Sequence, residues 1–107
     1  MSIGMRQRTT KLIFTSDFDD RGEWEAEQRG LLDNVKVLLD GKTTYSLCFF
    51  TPHRIGLEFA LSEKTGTPWL AYPGLILVPV VTREAMQRAV SELAKTDYFD
   101  HLNPEKP

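Results

Sequence analysis

The sequence predicts a two-layer α+β fold, in which a mainly antiparallel sheet of about four strands carries helices on one face. Three observations support this class. Segments in which apolar and polar residues alternate, as in strands, are interspersed with segments whose apolar residues have helical spacing. A turn sequence at Asp40-Gly41 joins two neighbouring strands. Residues 82–94 form a regular amphipathic helix pattern. At 107 residues the chain suits one domain with a single core, and we expect residues 1–9 and 103–107 to be flexible ends.

The first predicted elements are a strand over residues 10–16 and a short helix or ordered loop over residues 23–29. The strand has Leu12 and Phe14 on one face. The second segment contains good helix formers, and its only large apolar residue is Trp24. Because large aromatic residues usually bury most of their area, the sequence favours Trp24 as an anchor to the core over Trp24 as an exposed contact for a partner.

A β-hairpin is predicted next, with its turn at Asp40-Gly41. A two-residue turn would pair odd positions with even ones. A three-residue loop with Gly41 in a left-handed conformation pairs odd positions with odd ones, and it gathers the large side chains on one face: Val35, Val37, Leu39, Tyr45, Leu47 and Phe49. The burial of that face therefore favours the three-residue loop.

Thr51-Pro52 is the predicted start of a helix over residues 52–63. Threonine is a common N-cap, and proline suits the first helical position because no amide donor is needed there. Ile55 and Phe59 form one apolar stripe of this helix, and Leu57 and Leu61 lie beside it.

The apolar run over residues 75–81 follows the turn signal Pro73-Gly74, and we expect the other elements to pack around it. Pro79 suggests a strand end or bulge, so regular pairing is predicted to end near Val78. Thr82 is the predicted cap of the last helix. Its apolar stripe is Met86, Ala89, Val90, Leu93 and Ala94, and three later residues are expected to fold back onto the core: Tyr98, Phe99 and Leu102.

Composition narrows the classes of function. The net charge of −2 gives no overall case for a nucleic-acid partner. Residues 17–33 contain seven acids and two arginines, and a solvated acidic face is the ordinary interpretation of such a segment. Cys48 is the only cysteine, which fits a reducing compartment. The first residues lack the apolar core of a signal peptide, and no apolar run reaches membrane length, so we expect a cytoplasmic protein with no membrane partner.

The segment after the first strand contains two acidic patterns that resemble known motifs. Asp17-Phe18-Asp19 resembles the first motif of haloacid-dehalogenase-type phosphotransferases, but that chemistry needs Mg²⁺, further acids and a lysine from a larger parallel sheet. The same acids fit the start of an EF-hand loop, yet Arg21 and Gln28 occupy positions that must ligate calcium. A loose cation site is the only metal-binding alternative left open here.

No catalytic residue, metal or cofactor is predicted. His53 and His101 are the only histidines, and neither has a Cys/His spacing suited to zinc. The chain has no G-x-S-x-G nucleophile motif and no glycine-rich phosphate loop. We therefore expect a protein that is not an enzyme.

One family resemblance extends from Tyr45 to Leu93. A hydrophobic strand leads through Thr51-Pro52 into a helix (YSLCFFTPHRIGLEFA), and a loop leads to an apolar strand and a closing helix (GLILVPVVTREAMQRAVSEL). This arrangement resembles small α+β immunity proteins of bacterial toxin systems, in particular the family numbered eight. The resemblance implies a bacterial cytoplasmic protein that binds and neutralises a toxin domain and has no catalytic activity.

The leading hypothesis is a non-catalytic protein-binding module that binds through an acidic surface. Its candidate partner-binding residues are Asp17, Asp19, Asp20, Glu23, Trp24 and Glu27. The alternative is a small-molecule or regulatory binding domain, with Trp69 and Tyr72 on the wall of a pocket. An enzyme with an unrecognised site ranks third. A homodimer formed through an exposed strand edge is compatible with all three hypotheses.

Overall fold

The computed structural model describes residues 8–66 and 71–105, with only the backbone for residues 62–65. Within these residues, four strands form one sheet in the order β1-β2-β3-β4, and β4 runs parallel to β3 whereas the other neighbours are antiparallel. This mixed sheet with three helices confirms the predicted α+β class. The elements are β1 (Thr10–Ile13), α1 (Asp20–Arg29), β2 (Leu31–Leu39), β3 (Thr43–Phe50), α2 (Pro52–Thr65), β4 (Leu75–Leu77), α3 (Arg83–Leu93) and a 3₁₀ turn (Tyr98–His101).

The β2–β3 hairpin has the predicted register. Leu39 is opposite Thr43, and Val37 is opposite Tyr45, so odd positions pair with odd ones. The loop contains three residues, and Gly41 has a φ angle of 65°. This register places the large odd-numbered side chains on one face of the sheet, which we call the inner face.

The hydrophobic core lies between the inner face and α3. On the helix, Met86 and Val90 are completely buried and Ala94 nearly so, which confirms the predicted stripe. Phe99 is also completely buried, because the chain folds back after α3. Its ring lies 5.3 Å from that of Tyr45. The buried residues of the inner face are Val35, Val37, Leu39, Tyr45, Leu47, Phe49 and Ile76.

Strand β4 ends where the sequence predicts. The N–H of Val78 donates the last ladder hydrogen bond to Phe50 O (2.9 Å), and Pro79 follows. Its position in the sheet differs from the expectation, however, because β2 and β3 are the central strands and β4 lies at an edge. Leu77 is 56% exposed there. The apolar run 75–81 is therefore not the centre of the fold, since the parallel crossover delivers it to the outside of β3.

Helix α2 begins at Pro52 as predicted, and the Thr51 hydroxyl accepts a hydrogen bond from Arg54 N–H (3.1 Å). Among the side chains that the structure describes, α2 contributes none to the buried core. Leu57 and Phe59 are both exposed. The amphipathic pattern thus predicted the helix correctly but did not predict where it packs.

Strand β1 is shorter than predicted. It ends at Ile13, and Phe14 turns to stack on Phe18 with 4.6 Å between ring centroids. Parts of the two ends that we expected to be flexible contact the folded body. Arg8 forms an ion pair with Asp100 (3.3 Å), and Glu105 N–H donates to Thr44 O (2.7 Å). Residues 1–7 and 106–107 lie outside the described residues.

No helix in the described part of the chain is both long enough and apolar enough to cross a membrane.

Candidate functional site

The acidic segment after β1 forms a ten-residue helix, α1, with well-defined ends. The Asp19 carboxylate accepts a hydrogen bond from Gly22 N–H (2.9 Å), which caps the helix. This backbone hydrogen bond lowers the pKa of Asp19, because it favours the charged carboxylate. At the other end Gly30 has a φ of 73° and donates to Ala26 O (2.8 Å). Asp19 is therefore a structural cap.

A single arginine joins α1 to α3. The Arg83 side chain donates from Nη1 to Glu23 Oε1 (2.8 Å) and to Asp20 Oδ1 (3.0 Å). The backbone N–H of Arg83 donates to Glu23 Oε2 (2.7 Å), so Glu23 also satisfies an amide in the first turn of α3. The guanidinium carbon lies 5.1 Å from the centroid of the Phe18 ring. Two of the predicted partner-binding acids are thus engaged within the chain.

The expectation that Trp24 anchors α1 to the core is wrong, because 60% of its surface is exposed. Helix α1 is attached by other residues: Ala26 is completely buried, Phe18 packs against the core, and Arg83 binds Glu23. Successive helical residues are about 100° apart, so Trp24 is rotated about 200° from Ala26. With Ala26 facing the sheet, Trp24 must face outwards.

Carboxylates flank Trp24 along the helix. Asp20 and Glu27, at i−4 and i+3, are neighbours of Trp24 on the helix surface, and both are exposed. The Asp20 side chain is fully exposed although one of its oxygens binds Arg83. Arg21 is paired with Glu25 (3.1 Å), which offsets its positive charge locally. The structure therefore groups Asp20, Trp24 and Glu27 on one accessible surface, which we call the Trp24 surface.

A polar cleft of about 540 Å³ adjoins α1. Its walls include Asp17 and Asp33, and also Arg29, so its charge is mixed rather than purely acidic. Strand β2 has a bulge at this point, and Asn34 has a φ of 58°. Sequence reasoning missed this bulge. The signal was Asp33-Asn34, a pair of turn-favouring residues within an apolar strand.

The cation-site alternative has no cluster to support it. Among the side chains that the structure describes, no three Asp, Glu, His or Cys residues are grouped so that they could hold a metal ion. Asp17 and Asp19 both line the cleft, and Asp19 already accepts the hydrogen bond that caps α1.

A second cleft lies on the opposite face of the sheet. It has a volume of about 300 Å³, and its walls include Cys48, Phe50 and Tyr72. The Tyr72 ring stacks on that of Phe50, with 6.1 Å between centroids. Burial raises the pKa of the Cys48 thiol. Trp69, the other predicted wall residue, lies outside the described residues.

Comparison with known families, with curated proteins and with solved structures found no match to this chain. The resemblance to immunity proteins therefore stays a prediction.

Proposed function

We propose that this chain is a non-catalytic protein-binding module that binds its partner through the Trp24 surface. The observation that carries the proposal is the exposure of Trp24 on a helix whose other contacts already attach it to the fold. Tryptophan is enriched among residues that dominate binding energy at protein interfaces. An exposed tryptophan that does nothing for helix docking is well suited to that role.

The charge around Trp24 favours a partner with a basic surface. Glu27 is exposed, and the fully exposed Asp20 side chain can accept a further hydrogen bond while it holds Arg83. Charge complementarity of this kind mainly accelerates association and selects against acidic partners. Asp19 and Glu23 support the surface by capping α1 and binding Arg83, so they position it rather than contact the partner.

The class of partner that we propose is a bacterial toxin domain, neutralised in the cytoplasm. The support for this class is the resemblance of residues 45–93 to immunity proteins, together with an acidic helix that would complement a basic nuclease. The single unpaired Cys48 is in keeping with a reducing compartment.

The test is to co-express the chain with the toxin-like protein encoded next to it, and to measure protection of growth and the Kd of the purified pair. We expect Trp24→Ala to weaken binding by roughly 30-fold or more, because a hot-spot residue contributes at least about 2 kcal/mol. Glu27→Gln should mainly lower the association rate, and its effect should shrink at high salt.

The matched control is Leu61→Ala, which also removes an exposed apolar side chain but lies on α2. It should leave Kd and protection unchanged. Equal Kd values for Trp24→Ala and wild type would remove the Trp24 surface from the interface. Absence of a toxin-like neighbouring gene would count against a toxin as the partner. The Trp24 surface would then be tested by capture experiments with other basic proteins.

A small-molecule or regulatory binding domain is the second candidate function. The cleft beside Tyr72 favours it, since about 300 Å³ reaches the lower end of ligand-pocket volumes. Ligand binding there should quench Tyr72 or protect Cys48 from a thiol reagent in a screen of small apolar compounds. A screen in which no compound slows Cys48 modification would contradict this function. We rank it second because Trp24 plays no part in it.

A further inference from the structure

The edge of β4 that faces away from β3 has backbone N–H and C=O groups that can pair with the same edge of a second molecule. The hydrogen bonds from Cys48 N–H to Gly74 O and from Val78 N–H to Phe50 O lie on either side of Ile76. In a parallel ladder this spacing directs the Ile76 amide groups to β3 and those of Leu77 away from it. No described strand pairs with that outer edge.

The two edges of the sheet differ in what protects them. Strand β1 carries Lys11, and its Thr10 hydroxyl accepts a hydrogen bond from Gln87 of α3 (3.0 Å). Charged residues on an edge strand and contacts that cover it are common ways to prevent edge-to-edge pairing. Strand β4 is Leu-Ile-Leu, and its Leu77 side chain is exposed. Strand β4 is short, as β1 is, but it has no charged residue of its own to discourage edge-to-edge pairing.

A groove follows β4 on the side of α3, with a volume of about 570 Å³. Leu77 lines one side and Ala89 the other. Along this side of α3, Glu84, Arg88 and Glu92 recur at four-residue intervals and line the same groove. Arg88 is exposed, and among the described residues it forms no ion pair within 4 Å, although its charge is one of the causes that lower the pKa of Glu92.

We infer that the β4 edge, together with the Glu84-Arg88-Glu92 row, is the interface of a two-fold symmetric homodimer of this chain. With the axis at Ile76, Leu77 N–H of one copy donates to Leu75 C=O of the other, and symmetry repeats the bond. The same axis runs the two α3 helices antiparallel on one face of the joined sheet, with their Glu84-Arg88-Glu92 rows in opposite directions. The occupant is a second copy, because the hydrogen-bond pattern complements itself about the axis, and two antiparallel rows offset by one helical turn set Glu84 of each copy opposite Arg88 of the other.

The dimer goes beyond the proposed function and uses a different part of the molecule. Helix α1 packs against β2 and joins α3 at Arg83, whereas the dimer interface is at β4 and the opposite flank of α3. A dimer would therefore present two Trp24 surfaces, and each inference can fail without the other.

Sedimentation equilibrium of the full chain between about 5 and 500 µM is the test. Because the edge is only three residues long, we expect a reversible dimer with Kd of the order of micromolar to tens of micromolar. Leu77→Lys should weaken dimerisation at least about 10-fold, since it sets a charged side chain against Leu75 of the other copy and brings the two like charges to diagonal positions across the axis. Arg88→Glu should also weaken it, with a smaller effect at high salt.

Two matched variants serve as controls, and circular dichroism confirms that each variant is folded. Ile13→Lys places the same charge on the opposite edge strand, and Arg29→Glu reverses an exposed charge on α1; both should dimerise like wild type. In a concentration series, amide exchange at Leu77 should slow as the dimer forms. A chain that is monomeric up to 500 µM overturns the inference, as does a dimer that Leu77→Lys leaves intact.

Discussion

Helices α2 and α3 both carry apolar side chains at helical spacing, but only α3 buries them. Met86 and Val90 of α3 are completely inaccessible, whereas Leu57 and Leu61 of α2 are 46% and 56% exposed. This difference in burial between α2 and α3 shows how much an apolar stripe predicts. It indicates that a helix is able to pack against another element, and the rest of the fold decides whether it does.

The reason lies in the inner face of the sheet, which α1 and α3 already cover. Helix α3 is attached at its start by Glu23, which binds Arg83, and along its length by Gln87, which contacts Thr10. The described side-chain contacts of α2 include a hydrogen bond of its own cap and the Arg54–Glu58 ion pair within one helical turn. Those contacts stabilise a helix without attaching it to a layer.

The largest expected effect is a difference in the free energy of unfolding between a variant in α3 and a variant in α2. Met86→Ala should lower the free energy of unfolding by about 2–5 kcal/mol, because it leaves a cavity in a closely packed core. Leu57→Ala on α2 should change it by only about 0.5 kcal/mol, since the side chain is already half in water. Urea unfolding of both variants measures the difference. Similar losses for the two variants would show that α2 packs more tightly in solution than its exposure indicates.

A smaller effect compares the caps of the same helices. Thr82→Ala removes the acceptor of the Ala85 N–H hydrogen bond (3.2 Å) and should cost about 1 kcal/mol. Thr82→Ser keeps an acceptor and should recover most of that loss. The same pair of substitutions at Thr51 should cost less in global stability, because α2 can fray without opening the core. If Thr51→Ala proved the more destabilising of the two, α2 would have to be part of the cooperative unit.

Much of the candidate site could be read from the sequence, but its key property could not. The sequence places Trp24 in an acidic segment that is either a short helix or an ordered loop over residues 23–29, and the structure shows a helix over Asp20–Arg29. The exposure of Trp24 depends on Ala26 and Phe18 taking the contacts with the core, and on Arg83 binding Glu23 across 60 positions. No local pattern contains that partner, so the general tendency of tryptophan to be buried led to the wrong prediction.

The sequence by itself determined the hairpin register, the helix starts at Thr51 and Thr82, the buried stripe of α3 and the end of β4 pairing. Each depends on interactions within a few residues, or on one face that must be buried as a whole. Only the tertiary structure decided that β4 lies at an edge parallel to β3, that α2 stays exposed and that Trp24 faces outwards. These outcomes depend on which surfaces are already covered, and that is a property of the packed layers rather than of any one segment.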